Sequence, residues 1–216
     1  TVFAVGLTPG TAYYVQVDGW STADTGSFCL TVDSLTSSMI ASSATSCGVF
    51  QNPEGSTTTY TGWQPLITTS GELVAMVRNL AGGAVIDYNG ALTVNTSGVR
   101  NHNGQHYLDR NYLINNTSAT NVDVRFFYLN SELTALAGMN PNATAGNLNV
   151  TRQAGTVCQS SFSATSGAIT ALQQSANGVA GGVRWVQVNT PGFSNFYLMA
   201  GAFPLAIELE KISATN

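Results

Sequence analysis

The sequence predicts an all-β protein, a β-sandwich preceded by the last strands of another one. Three observations carry that prediction. Clusters of Gly, Asn, Ser and Thr recur at short intervals along the 216 residues. Between them lie short runs rich in β-branched and aromatic residues, the rhythm of a sandwich or barrel. Strand-like runs do not alternate with long helical ones, so a doubly wound fold is disfavoured. Hydrophobic residues make up 44% of the chain, enough for a packed core.

The first expected strands cover residues 1–7 and 12–17. Leu7-Thr8-Pro9-Gly10-Thr11 turns between them, with Pro presetting φ and Gly supplying a positive φ. A third strand is expected over 27–33, so that Tyr13, Val15, Val17, Phe28, Leu30 and Val32 share one apolar face. Three strands are too few to bury a core. Residues 1–35 therefore read as the C-terminal strands of an upstream β-sandwich module. Their face is expected to pack on protein beyond the main domain, either other modules of the same polypeptide or neighbouring copies in a fibre. Residues 36–46 are small and Ser-rich, the composition of a linker.

The main domain is expected over 47–206, an Ig-like or jelly-roll-like sandwich, and 207–216 start a link to a C-terminal region. Its strands are expected at 72–79, 84–88, 91–95, 107–115, 121–129, 147–152, 156–163, 182–189 and 195–200. In the fifth of these, Val122, Val124, Phe126 and Tyr128 make one apolar face, and Asp123 and Arg125 share the other, where they are placed to pair. A short helix is expected at 131–139, with Ser131 as cap, Glu132 at the positive end and Gly138 as stop. A second is expected at 168–176.

Charge excludes several partners. Charged residues are only 8% of the chain, six Arg and one Lys against eleven acids, and the basic ones do not cluster. Phosphate neutralisation needs clustered Lys and Arg, so nucleic acid is not an expected partner, nor is an anionic membrane surface. No apolar stretch is long enough to span a bilayer as a helix, so no membrane insertion is expected.

No catalytic constellation stands out in the sequence, so no enzyme and no cofactor are expected. The chain holds no Gly-x-Ser-x-Gly elbow and no phosphate-cradling Gly loop; the pairs Gly82-Gly83 and Gly181-Gly182 read as turns or bulges. His102 and His106, with Asp109 nearby, have metal-ligand spacing for a helix, but Asn103-Gly104 between them signals a hairpin turn. Loop histidines are the expected reading, with a metal pair as the alternative. Glu208 and Glu210 read as a solvated strand edge rather than a catalytic pair. Asp18 and Asp24 flank a loop that would suit Ca²⁺, though not with EF-hand spacing. Trp185 lies in a strand and is expected in the core. Trp20 and Trp63 lie in loop-like sequence and are candidates for stacking on surface glycans, against ordinary packing as the alternative.

The chain has three cysteines, Cys29, Cys47 and Cys158, without a Cys-x-x-Cys pair. A disulfide is expected between Cys47 and Cys158, leaving Cys29 free or paired outside the segment; three reduced buried thiols are the alternative.

Two sets of segments resemble known modules. Leu7-Thr8-Pro9-Gly10-Thr11-Ala12-Tyr13-Tyr14-Val15-Gln16-Val17-Asp18-Gly19-Trp20, then Gly26-Ser27-Phe28-Cys29-Leu30-Thr31-Val32, resemble the closing strands of β-sandwich modules in large secreted proteins of Bacteroidetes-type bacteria, an ending shared with pre-peptidase C-terminal-like domains. Tyr107-Leu108-Asp109-Arg110-Asn111-Tyr112, Val124 to Leu136, and the tail Gly192 to Leu198 with Phe203 to Leu209 look like the module before the sorting region of type IX secretion substrates. The resemblance implies export across the outer membrane and a cell-surface or released product, and carries over no catalytic residue. Asp33-Ser34-Leu35 matches the short Asp-Ser/Thr-apolar pattern that such bacteria O-glycosylate, which makes Ser34 the expected glycan site. The expected function is thus a structural, adhesive or filament-forming module, with an accessory carbohydrate-binding module of a secreted hydrolase as the alternative.

Overall fold

The computed structural model describes residues 10–15, 34–44, 62–81, 89–115, 121–155, 159–163 and 166–200. In chain order the strands are β1 (Gln64–Ile67), β2 (Leu73–Asn79), β3 (Asn89–Val94), β4 (Arg100–His102), β5 (Gln105–Asn115), β6 (Val122–Leu129), β7 (Leu148–Gln153), β8 (Ile169–Leu172), β9 (Gln174–Ala180), β10 (Val183–Thr190) and β11 (Asn195–Ala200), with helix α1 (Asn130–Met139) between β6 and β7. They form two antiparallel sheets, β1-β2-β6-β10-β9 and β3-β5-β11-β7-β8, with β4 paired to β5. The protein is an all-β sandwich, as its sequence predicts.

Period-two alternation explains how the sheets face each other. Val124, Phe126 and Tyr128 of β6, Val186 and Val188 of β10, Leu108 and Tyr112 of β5, and Phe196 and Leu198 of β11 meet in one core cluster. Phe126 stacks at 4.8–4.9 Å between Tyr112 and Phe196, one ring from each facing strand of the other sheet. β2 breaks the alternation: Leu73, Val74, Ala75, Met76 and Val77 are all buried. Leu66 pairs with Ala75 but Ile67 pairs with Leu73, so Val74 is the extra residue of a bulge. Both faces of β2 are covered, because Leu73 and Met76 join Ile40, Phe127 and Val183 in a second cluster on the outer face of the first sheet.

Several expectations change. Residues 168–176 are not helical. Ile169–Leu172 pairs with β7, and Gln174–Ala180 pairs with β10, so the chain passes from one sheet to the other at Gln173. Helix propensity of the alanines loses to the ladder bonds and the burial of Leu172. Residues 159–163 are not a strand either; they cross the outer face of the second sheet as a loop. Residues 11–15 carry no regular structure where a strand is expected, and Tyr14 is 96% exposed. Ser131 does not cap α1. The helix starts one residue earlier, and Glu132 at its third position accepts the backbone N–H of Leu129 at 2.7 Å. The strands β1 and β4 were not expected.

Within the stretch read as a linker, Ser37–Met39 forms a short 3-10 helix, Ile40 bridges to Leu73 in parallel, and Ile40 and Ala41 are buried. The expected strands at 1–7, 27–33 and 84–88 lie outside the described residues, as do most of the upstream module and the C-terminal link.

Candidate functional site

Asp123 and Arg125 share the outer face of β6, yet they do not pair with each other. Arg78 on β2 lies opposite Asp123, and their side chains meet at 2.6 Å. Arg125 donates to Gln187 Oε1 at 2.9 Å instead, with its guanidinium 4.1 Å from the Trp63 ring centre and 4.4 Å from that of Trp185. Arg78 adds a second cation at 4.8 Å over Trp63. The result is a row of alternating indole and guanidinium groups across β2, β6 and β10. Burial and the neighbouring Arg78 charge push the Arg125 guanidinium below its ordinary value. Trp185 is therefore half-buried on the outer face rather than in the core. Its indole lies on Gly178, where a Cβ would come within 2.5 Å of the ring. Trp63, the described half of the expected stacking pair, has intramolecular cations over its ring; Trp20 lies outside the described residues.

The second sheet is built around a buried arginine that the sequence reading did not single out. The register of β11 on β5 slips between Tyr197 opposite Asn111 and Met199 opposite Tyr107. Arg110 falls in this slip and is fully buried. Its Nε donates to Glu132 Oε1 at 2.9 Å, its Nη2 reaches the same oxygen, and its Nη1 donates to the carbonyls of Ala41 at 3.1 Å and Phe127 at 3.3 Å. Tyr112 donates to the Phe127 carbonyl at 2.6 Å, and burial drives its hydroxyl far above its ordinary pKa. One side chain thus joins β5, α1, β6 and the segment over the first sheet. Burial, then the Glu132 charge, raises the neighbouring Asp109 carboxyl to about 6.

On the outer face of the second sheet, Arg100 plays a parallel part. It donates to Leu108 O twice, to Asn111 Oδ1 at 2.7 Å and to Ser160 O at 2.6 Å, and lies 4.6 Å over the Tyr107 ring. Asn111 holds Gln159 O, Tyr197 holds Ser161 O, and the Tyr107 hydroxyl accepts from Phe162 N. These bonds fix the 159–163 loop with Phe162 against Tyr107 and Tyr197. Beside it opens a cleft of about 520 Å³ lined by Thr93, Asn95, Thr96, Asn101, Ser160 and Ser161 among others.

His102 and His106 flank a tight turn whose Asn103 and Gly104 have φ of 50° and 85°. His102 pairs with Gln105 and His106 with Asn101, which puts the two imidazoles on opposite faces of the hairpin. His102 packs edge-on against Phe162 at 5.1 Å. Among the described residues no group of three His, Cys, Asp or Glu could hold a metal ion. Ser34 is exposed. Cys29, Cys47, Cys158, Asp18, Asp24, Glu208 and Glu210 all lie outside the described residues. Among the described residues no helix is long and apolar enough to cross a membrane.

Comparison with known proteins finds no matching family model, no matching curated protein and no matching solved structure.

Proposed function

We propose that the chain is a non-enzymatic structural or adhesive module of a large secreted or cell-surface protein. The observation that supports this reading most is the way its few basic side chains are used. Arg100 and Arg110, in a chain with only seven basic residues, hold the chain's own backbone across the two sheets. Covering segments fixed by charge-assisted bonds suit a unit whose task is to keep its shape. The resemblance to secreted modular proteins supports the extracellular location, and exposed Ser34 is accessible to a glycan there.

Protease shaving of intact cells of the native source, followed by glycopeptide mass spectrometry, tests it. The expected result is removal of the protein from the cell surface, or its recovery from the medium, with Ser34 modified. Recovery of unmodified protein from the cytosol alone contradicts the reading.

A second reading, an accessory glycan-binding module, is favoured by one observation: the 520 Å³ cleft, in which the amides and hydroxyls of Asn95, Asn101, Thr96 and Ser160 lie beside Arg100 and the Tyr107 ring. It predicts glycan-array binding that falls on Thr96→Ala or Asn101→Ala. No binding on the array, or binding indifferent to both changes, removes it.

A further inference from the structure

The sequence holds three Asn-Gly pairs, Asn89-Gly90, Asn103-Gly104 and Asn177-Gly178. Glycine has no Cβ to shield its backbone nitrogen from the preceding asparagine side chain, so each pair is chemically labile in an open chain. The dipeptide is the same at all three, and the fold separates them. Asn89 and Gly90 lie in β3 opposite Asn115 and Ile114 of β5, and Gly90 is buried. Asn177 and Gly178 lie in β9 opposite Val186 and Trp185 of β10, with the Trp185 indole over Gly178. Asn103 and Gly104 are instead both exposed, at positive φ, between the paired His102 and Gln105. Open space surrounds the Cβ position of Gly104. Surface contacts hold this pair: the Gly104 N–H donates to the exposed Asn101 side chain at 3.0 Å, and Asn103 Nδ2 lies 3.4 Å from His102 Nε2. β4 has three residues, so opening this hairpin end breaks a short ladder, whereas opening β3 or β9 disturbs a whole sheet.

We infer that Asn103 is a site of spontaneous covalent modification, converting to isoaspartate and aspartate in the folded protein. The backbone nitrogen of Gly104 gives up its proton to solvent hydroxide and attacks Asn103 Cγ. The new N–Cγ bond closes a five-membered imide, while the C–N bond of the side-chain amide breaks and its nitrogen leaves as ammonia after taking a proton from water. A second water opens the imide. Attack at the backbone carbonyl leaves isoaspartate, with an extra methylene in the main chain; attack at Cγ leaves aspartate. Either product puts a carboxylate on a neutral turn beside His102. Isoaspartate also lengthens the two-residue turn that sets His102 against Gln105, so it strains the hairpin register next to the cleft residue Asn101.

Tryptic mapping tests the inference, because the basic residues put each pair in a peptide of its own, 79–100, 101–110 and 153–184. The whole folded chain is held at about pH 8.5 and sampled over weeks, each sample being digested beside one that was never incubated. Amide-to-acid conversion is read from the mass gain, and fragmentation assigns it to Asn103. In the folded chain Asn103 is expected to convert at least about tenfold faster than Asn89 and Asn177, whose strands must open first. In guanidinium chloride, where the ladders are gone, the three are expected to convert at similar rates. An Asn103 that stays intact while the unfolded chain converts, or that converts no faster than the two strand pairs in the folded chain, overturns the inference.

Discussion

At the scale of single residues, the Arg110–Glu132 pair has the largest expected effect. Glu132 accepts Arg110 on one oxygen and the Leu129 N–H on the other, so it satisfies a buried cation and a helix start together. Removing one partner leaves the other as an uncompensated buried charge, at a cost of about 3–5 kcal/mol. Arg110→Met and Glu132→Leu are each expected to lose stability on that scale in urea denaturation. The double variant is expected to be less destabilised than the sum, because no charge is then stranded. Additive losses would show that the two groups do not act as a pair. Asp109 gives a pH signature. Its carboxyl titrates near 6 in the fold against 3.8 ordinarily, because burial and then the Glu132 charge disfavour ionisation. The folded state therefore holds a proton that the unfolded chain has released. That contribution is complete below about pH 4 and is lost as pH rises through about 6. Asp109→Asn, which mimics the protonated form, is expected to melt above the wild type at pH 7.5 and level with it at pH 4. A constant difference across that range would rule out the shift.

At the scale of elements, what the sequence disclosed depended on how local the determinant was. β6 was legible in its apolar alternation, and β11 as a short apolar run set off by the Pro191-Gly192 turn residues before it and Gly201 after it. The β4–β5 turn was legible in Asn103-Gly104, whose φ values match the turn its dipeptide demands. The β8–β9 stretch was not: a helix is expected at 168–176, where the chain forms two strands, with Gly178 in the middle of the second. Gly178 is there because the Trp185 indole covers it, a contact between strands that no local window contains. Gly178→Val is therefore expected to displace the indole and lower stability by about 1–3 kcal/mol, with a shift in tryptophan emission. Unchanged emission and melting would mean that the ring does not rest on that glycine. Residues 159–163, within the strand expected at 156–163, form a loop because the bonds that hold them come from Arg100, Asn111 and Tyr197 on distant strands. The candidate site was partly legible. Trp63 was picked out as a surface aromatic, but its partners Arg78 and Arg125 depend on strand order, which a single sequence does not reveal.

At the scale of the whole molecule, two segments outside the regular strands cover the sandwich, residues 35–41 over the first sheet and 159–163 over the second. Ile40 and Ala41, which run alongside the start of β2, are as buried as that strand, and Phe162 nearly so. Arg110 fastens the first segment through Ala41 O, and Arg100 the second through Ser160 O. If this covering makes the module rigid, its segments must open with the core and not before it. Native-state amide hydrogen exchange of the intact chain measures that directly. The account predicts that the Ala41 amide, bonded to Leu73 O, and the Phe162 amide, bonded to Tyr107, exchange as slowly as amides of β6 and β11. Exchange of both within seconds, as in free loops, while the strands stay protected would contradict it.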